Sequence, residues 1–342
     1  MHILFDIIHP AHINFYKNLV QRLDREGHRI TMLYLQRGAV PRIMREEFGN
    51  YAMIPAGKHA KSTLGLYFKT GLLRTLSLAC KIARLRPDAS FTVAGFQTDF
   101  LSRIFRYKSI SAYDDPGHIN FTLSRRFAHR FVLPDCLQFT GQNIIPFKGL
   151  KEWAYLSPTY FRPDIDTLQP YDLKPKDYIF IRNVDTGTLN YRSQTEDIIL
   201  QLYTLGLNRQ NVVLSLEDKD KRKLFSEWLI LDEPVPDIHS LMFYSRLVLA
   251  NGDSMAREAA QLGVPSVYCG QRQMPANQLL IDMDIMRHIT RAEDILQLAE
   301  RETFDGDSRT QEIRRDELLN TWDDPTEILY HALLDLTQAN GK

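Results

Sequence analysis

The sequence predicts an α/β protein made of two doubly wound domains that face a cleft. Its 342 residues exceed the roughly 250 to 300 at which a single hydrophobic core stops growing, so two cores are expected. Short apolar runs alternate with segments of helical periodicity, which is typical of parallel sheets joined by right-handed crossovers. The alternation stops at a proline-rich stretch and then starts again.

The first domain is predicted over residues 1–150. It opens with a nearly continuous apolar run at 2–8, as expected for a central strand buried on both faces. A helix follows, with Phe15, Leu19 and Leu23 at intervals of four and Gly27 as its C-cap. Further strands are predicted at 30–35, 51–55, 90–94, 109–113 and 130–133, and further helices at 41–48, 64–84 and 99–105.

A connection is predicted over residues 151–176, because its four prolines disfavour helix. The second domain follows over 177–322. Its predicted strands are 178–182, 211–216, 247–250 and 266–268, and its predicted helices 194–205, 220–229, 238–244 and 254–262. A last helix over 323–342 carries one apolar stripe, and we expect it to pack back on the first domain.

Composition excludes several classes of protein. The chain is 44% hydrophobic and 25% charged, as in globular proteins, and its net charge of +0 gives no attraction to nucleic acid. The three cysteines, Cys80, Cys136 and Cys269, show no zinc spacing and are expected to be reduced. Because no leader pattern and no membrane-spanning run is present, we expect a cytoplasmic protein without metal or cofactor.

Residues 249–265 form the most informative segment: a strand, a polar turn and a short helix. A helix that begins there directs backbone N–H groups and its positive dipole end at a ligand, which suits a diphosphate. Ser254 is expected to cap the helix and donate its hydroxyl, and Gly252 to allow close approach. Glu258, one turn later, can accept from ribose hydroxyls. The alternative is an ordinary N-cap at Asp253 or Ser254, with Glu258 in solvent.

Three further polar residues end strands of the second domain. Arg182 and Asn183 end one strand and Glu217 another, so all three are expected at the same edge as Ser254. The guanidinium of Arg182 suits a phosphate, to which both of its arms can donate.

In the first domain, His9 and His12 follow the first strand, at the edge where open sheets place ligands. Either suits a general base, and His12 is favoured; the alternative is that both rings satisfy backbone groups. Asp114, Asp115 and His118 follow another strand. They suit acceptor hydroxyls, turn caps or, less well, a metal, because adjacent residues on a strand point opposite ways.

Residues 51–87 contain no acidic residue but seven basic ones, interspersed with leucines. This basic amphipathic stretch suits contact with anionic lipid. The alternative is a helix that packs in the core and turns a basic face to solvent. The basic residues are Lys58, Lys61, Lys69, Arg74, Lys81, Arg84 and Arg86.

Five motifs occur in order over nearly the whole chain: Asp6-Ile7-Ile8-His9-Pro10-Ala11-His12, Gly57-Lys58-His59, Asp114-Asp115 with His118, Lys151-Glu152-Trp153-Ala154-Tyr155-Leu156, and Ser254-Met255-Ala256-Arg257-Glu258-Ala259-Ala260. Together they resemble a little-characterised prokaryotic family of GT-B-like proteins, known as a domain of unknown function. Residues 249–265 also resemble the nucleotide-binding part of GT-B glycosyltransferases and UDP-N-acetylglucosamine 2-epimerases. Where the family tends to show Asp-Gly-Gly-Thr, this chain has Asn251-Gly252-Asp253-Ser254, which places an extra carboxylate near the proposed phosphate site.

The resemblance implies two Rossmann-like domains of GT-B type and a nucleotide-sugar as substrate. The implied activity is transfer of a sugar to a surface-polysaccharide or lipid-linked acceptor, in polysaccharide biosynthesis, with peripheral contact at the inner face of the cell membrane. A nucleotide-sugar 2-epimerase and a non-catalytic nucleotide-sugar or polysaccharide-binding protein are the alternatives. The expected substrate-binding residues are Arg182, Asn183, Glu217, Gly252, Asp253, Ser254, Glu258, Asp114, His118 and His59, and the expected catalytic residues are His12, His9 and Asp115.

Overall fold

The computed structural model describes residues 1–59, 66–185, 197–232, 234–300 and 308–338. The chain divides into two compact units. Unit 1 comprises Met1–Tyr155 and Trp322–Lys342, and unit 2 comprises Leu156–Thr321. Each unit contains one parallel β-sheet.

Unit 1 has seven strands in the order β3-β2-β1-β4-β5-β6-β7. The first strand lies in the middle and is buried along its whole length, which confirms its predicted central position. The last strand was not predicted, because it is short and contains Pro146, which an edge position tolerates. The strands are β1 (His2–Ile7), β2 (Arg29–Gln36), β3 (Ala52–Lys58), β4 (Ala89–Val93), β5 (Lys108–Ala112), β6 (Arg130–Pro134) and β7 (Ile144–Phe147).

The helices that connect these strands are α1 (Pro10–Arg25), α2 (Val40–Phe48), α3 (Arg74–Leu85), α4 (Phe96–Phe105) and α5 (Ile119–Phe127), and a short helix, α6 (Trp153–Leu156), follows the last strand. A π-helical segment, Leu66–Leu73, precedes α3, so the helix predicted over 64–84 is two segments. Its first residues, 64 and 65, lie outside the described residues. On the sheet side, Leu78 and Ile82 of α3 and Leu101 of α4 pack with Leu4 and Leu33 in one core cluster.

Unit 2 has six strands in the order β10-β9-β8-β11-β12-β13, so the direction of the chain across the sheet reverses between β8 and β11. The strands are β8 (Ile179–Asn183), β9 (Val212–Leu216), β10 (Leu229–Ile230), β11 (Leu247–Ala250), β12 (Ser266–Tyr268) and β13 (Arg287–His288). The helices are α7 (Ile198–Leu205), α8 (Ile238–Tyr244), α9 (Asp253–Gln261), α10 (Pro275–Asp282), α11 (Ala292–Glu300) and α12 (Ser308–Thr321).

The α-helix predicted at 220–229 is wrong. The chain forms a 3-10 helix over Lys219–Phe225 and then the short strand β10. Phe225 and Trp228 stack at 5.3 Å in the core of unit 2, and this packing competes with a regular helix. The helix predicted from 194 begins at Ile198, and residues 186–196 lie outside the described part of the chain.

The last helix, α13 (Pro325–Gln338), belongs to unit 1 and packs on α1. Just before it, Trp322 contacts the Trp153 ring edge-on at 5.5 Å, and a carboxylate oxygen of Asp323 accepts from the Lys148 N–H at 2.7 Å. These contacts fix the return of the chain to unit 1. Within the described ranges, no helix combines the length and apolarity needed to cross a bilayer.

Candidate functional site

The carboxyl ends of β8 and β11 lie side by side where the strand order of unit 2 reverses. Arg182 and Asn183 end β8, and Asn251 and Gly252 follow β11. Open α/β sheets bind ligands at such reversal points. We call these four residues the switch-point edge of unit 2.

Two asparagine side chains connect the strands at this edge. Asn251 donates from Nδ2 to Oδ1 of Asn183 at 2.8 Å, and its Oδ1 accepts from the Val184 N–H at 2.8 Å. Asn183 is buried, at 2% exposure, and its own Nδ2 has no acceptor among the residues that the structure describes. Because leaving a buried donor unsatisfied costs about 1–3 kcal/mol, this amide is suited to an oxygen atom of a ligand.

Helix α9 begins directly after this edge. Its N-cap is Gly252, which has no side chain to accept from the first N–H groups of the helix. Ser254 is the second residue of α9 and is exposed, so the prediction that it caps the helix is wrong. Its hydroxyl instead lies at the surface of the first turn.

Asp253, the residue that departs from the family pattern, is 2% exposed and lies between two arginines. Its Oδ2 is 3.2 Å from Nη1 of Arg272 and 3.5 Å from Nη1 of Arg257. The formal charges of these three side chains sum to +1, so the carboxylate of Asp253 does not make the edge acidic. It holds Arg272, whose side chain is 23% exposed, at the start of α9. Arg272 was missed because its position depends on the loop after β12.

Glu258 is buried, so the alternative that placed it in solvent is wrong. Its Oε1 lies 3.5 Å from Nε2 of His239 in α8. The His239 ring also meets the Phe161 ring edge-on at 6.2 Å. His239 was missed as well, because no sequence spacing relates α8 to α9.

Arg182 and Glu217 lie together at the strand ends, where the sequence placed them. Arg182 donates from Nη1 to Ser215 Oγ at 2.7 Å, and its Nη2 is 3.4 Å from Oε2 of Glu217. Glu217 also accepts from the Asp185 N–H at 3.3 Å. Both arms of the guanidinium thus have protein partners, and a phosphate would have to displace Glu217 to use both.

Three of the predicted residues of unit 1 cap local turns. His9 accepts through Nδ1 from the Ala11 N–H at the start of α1, at 3.3 Å. His118 accepts in the same way from Asn120 at the start of α5, at 3.1 Å. Asp115 accepts from the Gly117 N–H at 3.2 Å. These contacts correspond to the capping alternative for all three side chains.

His12 is buried in α1, and its Nδ1 accepts from the Ile8 N–H at 3.4 Å. Burial holds the pKa of His12 well below its ordinary value, and the nearby His9, Lys151 and Arg37 lower that pKa further. A neutral imidazole whose Nδ1 accepts carries its proton on Nε2. The His12 ring thus satisfies a backbone N–H, as the alternative expects, and its role as a base stays a prediction.

Asp114 and His59 follow different strands of the unit 1 sheet, β5 and β3. Asp114 is buried and accepts from the Lys151 ammonium at 2.6 and 2.7 Å, so Lys151 is a further residue that the sequence-based site prediction missed. Burial lowers the pKa of His59, and nearby Arg37 lowers it further. Across the described residues, no three histidine, cysteine or acidic side chains come together to hold a metal.

The model of the protein family of unknown function DUF354 matches residues 129–338, more than half of the chain. The chain belongs to this family. All of unit 2 lies inside the match, whereas His9, His12, His59 and His118 of unit 1 precede it. The DUF354 chain is also 21% identical over 312 residues to the uncharacterised protein MJ0665 of Methanocaldococcus jannaschii, a match that covers 86% of this chain and 89% of that protein.

Solved structures share the fold of this DUF354 chain. The UDP-GlcNAc 2-epimerase from Neisseria meningitidis, bound to UDP-GlcNAc, is similar with a TM-score of 0.64 at 12% identity, over 98% of this chain and 100% of that one. MurG from Acinetobacter baumannii is similar with a TM-score of 0.59 at 14% identity, over 99% of both chains. The spinosyn forosaminyltransferase SpnP is similar with a TM-score of 0.65 at 15% identity, over 98% of this chain and 99% of that one. The DUF354 chain therefore has a GT-B-like α/β fold with two Rossmann-like domains.

Proposed function

We propose that this protein is a glycosyltransferase that moves a sugar from a nucleotide-sugar donor to a surface-polysaccharide or lipid-linked acceptor. The observation that carries the proposal is the switch-point edge of unit 2. There the start of α9, the unsatisfied Nδ2 of Asn183 and the cationic Arg272 occur in one short stretch of structure. Backbone amides, a side-chain amide and a guanidinium are the donors that a diphosphate requires.

Glu258 and His239 extend this site toward a nucleoside. Glu258 lies one turn into α9, where its carboxylate can accept from ribose hydroxyls, and His239 holds it from α8. The exposed Ser254 hydroxyl supplies a further donor at the first turn. The likeness to an epimerase that binds UDP-GlcNAc supports a nucleotide-sugar as the ligand.

The acceptor is assigned to unit 1, to the polar residues that follow β1 and β5. With Nδ1 occupied by the Ile8 N–H, a neutral His12 ring would carry its proton on Nε2, which suits donation to an acceptor oxygen better than removal of its proton. Asp115 is partly exposed, and a carboxylate keeps further lone pairs after accepting from Gly117. We therefore assign the base to Asp115, with His12 as a positioning donor.

Calorimetric titration with a panel of nucleotides and nucleotide-sugars tests the donor site. Glu258→Gln is expected to weaken binding about 10- to 150-fold, because a hydrogen bond to a charged group contributes about 1.5–3 kcal/mol. Glu293→Gln, an exposed residue of α11, serves as the matched control and should bind like the wild type. The proposal is wrong if the wild type binds no member of the panel, or if Glu258→Gln binds as tightly as the control.

A 2-epimerase is the second candidate, because the fold is as similar to an epimerase, at a TM-score of 0.64, as to the transferase SpnP, at 0.65. Transfer requires an added acceptor, whereas epimerisation does not. Conversion of UDP-GlcNAc, or release of UDP from it, without any acceptor would favour the epimerase. Tight binding without turnover against a broad acceptor panel would favour a non-catalytic binding protein.

A lipid-linked acceptor lies at a membrane, and we propose a cytoplasmic protein that contacts the inner face of the cell membrane. The basic stretch at 51–87 supports this location, except that Arg74 is buried and unavailable to lipid. Lys61 and Leu64 of the same stretch lie outside the described residues.

A further inference from the structure

Three neighbouring helices of unit 1 expose large apolar side chains. Their exposed fractions range from 38% to 67%, whereas Leu78, Ile82, Leu101 and Phe121 of the same helices are buried. Single exposed apolar residues are common on protein surfaces, but a group on adjacent helices marks an interaction site. The group includes Leu76, Phe100, Ile104, Phe105 and Ile119, together with Leu72 in the segment that precedes the first of these helices.

These side chains belong to one layer of the fold. The crossovers β3 to β4, β4 to β5 and β5 to β6 all run in the same direction across the sheet. Because such crossovers are right-handed, α3, α4 and α5 lie on the same face of that sheet. Helix α4 packs against both α3 and α5. The sides of these helices that face away from the sheet therefore form one surface, which we call the α3–α5 surface.

The charge on the α3–α5 surface has a single sign. Acidic residues are absent from α3, α5 and the segment before α3, and the one acidic residue of α4, Asp99, is fully buried. Basic side chains near the ends of the helices are exposed. They are Lys69, Arg84, Arg86, Arg103, Arg106 and Arg126.

We propose that the α3–α5 surface docks on an anionic lipid bilayer. Segments that lie in the membrane interface combine large apolar residues, such as leucine, isoleucine and phenylalanine, with arginine and lysine. The unopposed positive charge selects an anionic partner. A second copy of this chain fits less well, because a two-fold contact would place two surfaces of like charge against each other. The proposal does not depend on the sugar chemistry.

Flotation of the full chain with lipid vesicles tests the proposal. We expect binding to vesicles of equimolar phosphatidylcholine and phosphatidylglycerol, at least tenfold weaker binding to phosphatidylcholine alone, and loss of binding at high salt. The triple variant Lys69→Gln, Arg84→Gln, Arg126→Gln should bind on the order of 100-fold more weakly, at about fivefold for each charge. The double variant Leu72→Ser, Leu76→Ser should also bind at least tenfold more weakly.

Ile313→Ser is the matched control, because Ile313 is 49% exposed in α12 of unit 2. It should bind vesicles like the wild type, and none of the variants should change nucleotide affinity. Equal binding to neutral and anionic vesicles, or no binding to either, would overturn the proposal. So would a dimer in size-exclusion chromatography that dissociates in the Leu72→Ser, Leu76→Ser variant, since the surface would then belong to a second copy.

Discussion

Replacing Arg74 with methionine is expected to destabilise unit 1 strongly, and replacing Asp6 with asparagine at the same time should restore most of the loss. The two residues form an ion pair at 2.5 Å between Nη2 and Oδ1, and their side chains are 2% and 0% exposed. Arg74 also donates to the Ala56 carbonyl at 3.1 Å and to the Gln97 side chain. Asp6 accepts from the Thr98 hydroxyl at 2.6 Å.

The magnitude follows from what each variant leaves behind. Arg74→Met removes the only cation that contacts Asp6 in the described structure and leaves a carboxylate inside the protein, which costs about 3–5 kcal/mol. In the double variant, an amide that still accepts from Thr98 faces a methionine, and the pair is neutral. Replacing a whole buried ion pair is often close to neutral, so we expect stability within about 2 kcal/mol of the wild type.

Urea unfolding followed by tryptophan fluorescence measures this difference. Trp153 and Trp322 lie in unit 1 and Trp228 in unit 2, so a Trp228→Phe background reports unit 1 alone. That separation matters because two units need not unfold in one transition. A loss below about 1 kcal/mol for Arg74→Met, or a double variant as unstable as the single one, would refute the reasoning.

Three further predictions follow from single residues. Burial raises the pKa of Asp99 from its ordinary 3.8 to about 7. The native state thus holds a proton that the unfolded chain releases, and stability should fall by up to about 4 kcal/mol as the pH rises from about 4 to about 7. Asp99→Asn should flatten this profile in urea titrations, and an unchanged slope would contradict the assignment. Gly149 has φ +100°, and a Cβ there would lie 2.5 Å from the Trp322 ring, whereas Gly27 has φ +78° and nothing within 4 Å. Gly149→Ala should therefore lose about 3 kcal/mol or more and Gly27→Ala about 1 kcal/mol in thermal or urea unfolding, and equal losses would disprove the clash. Arg272→Gln should weaken UDP binding about 10- to 100-fold by calorimetry, with Arg291→Gln, on the exposed surface of unit 2, as the control; equal affinities would remove Arg272 from the site.

The central strands could be predicted from the sequence, but three edge strands could not. A strand such as β1, β8 or β11 is buried on both faces and therefore forms a continuous apolar run. The strands β7, β10 and β13 have four, two and two residues and lie at or toward the edges of their sheets. These segments form strands because they hydrogen-bond to an adjacent strand, and their own sequence pattern does not show it.

The same distinction applies to the site. Arg182, Asn183 and Gly252 could be placed together from the sequence, because parallel strands end at a common edge. His239 and Arg272 could not, because packing between helices and loops decides their positions. The sequence pattern places Arg74 among the basic side chains of an amphipathic stretch, and this interpretation is wrong. Its partner Asp6, 68 residues away in sequence, holds Arg74 in the core.

The departure from the family pattern at 251–254 is better understood as a relocated carboxylate than as an added one. In the family pattern given by the resemblance the acid stands at the position of Asn251, whereas this chain has one two residues later, at Asp253. An aspartate at 251 could not donate to Asn183 as Asn251 does, and a glycine at 253 could not hold Arg272. Asn251 thus links β8 to β11, and Asp253 brings a cation to the start of α9. The group of Asp253, Arg257 and Arg272 keeps one net positive charge, which suits an anionic ligand.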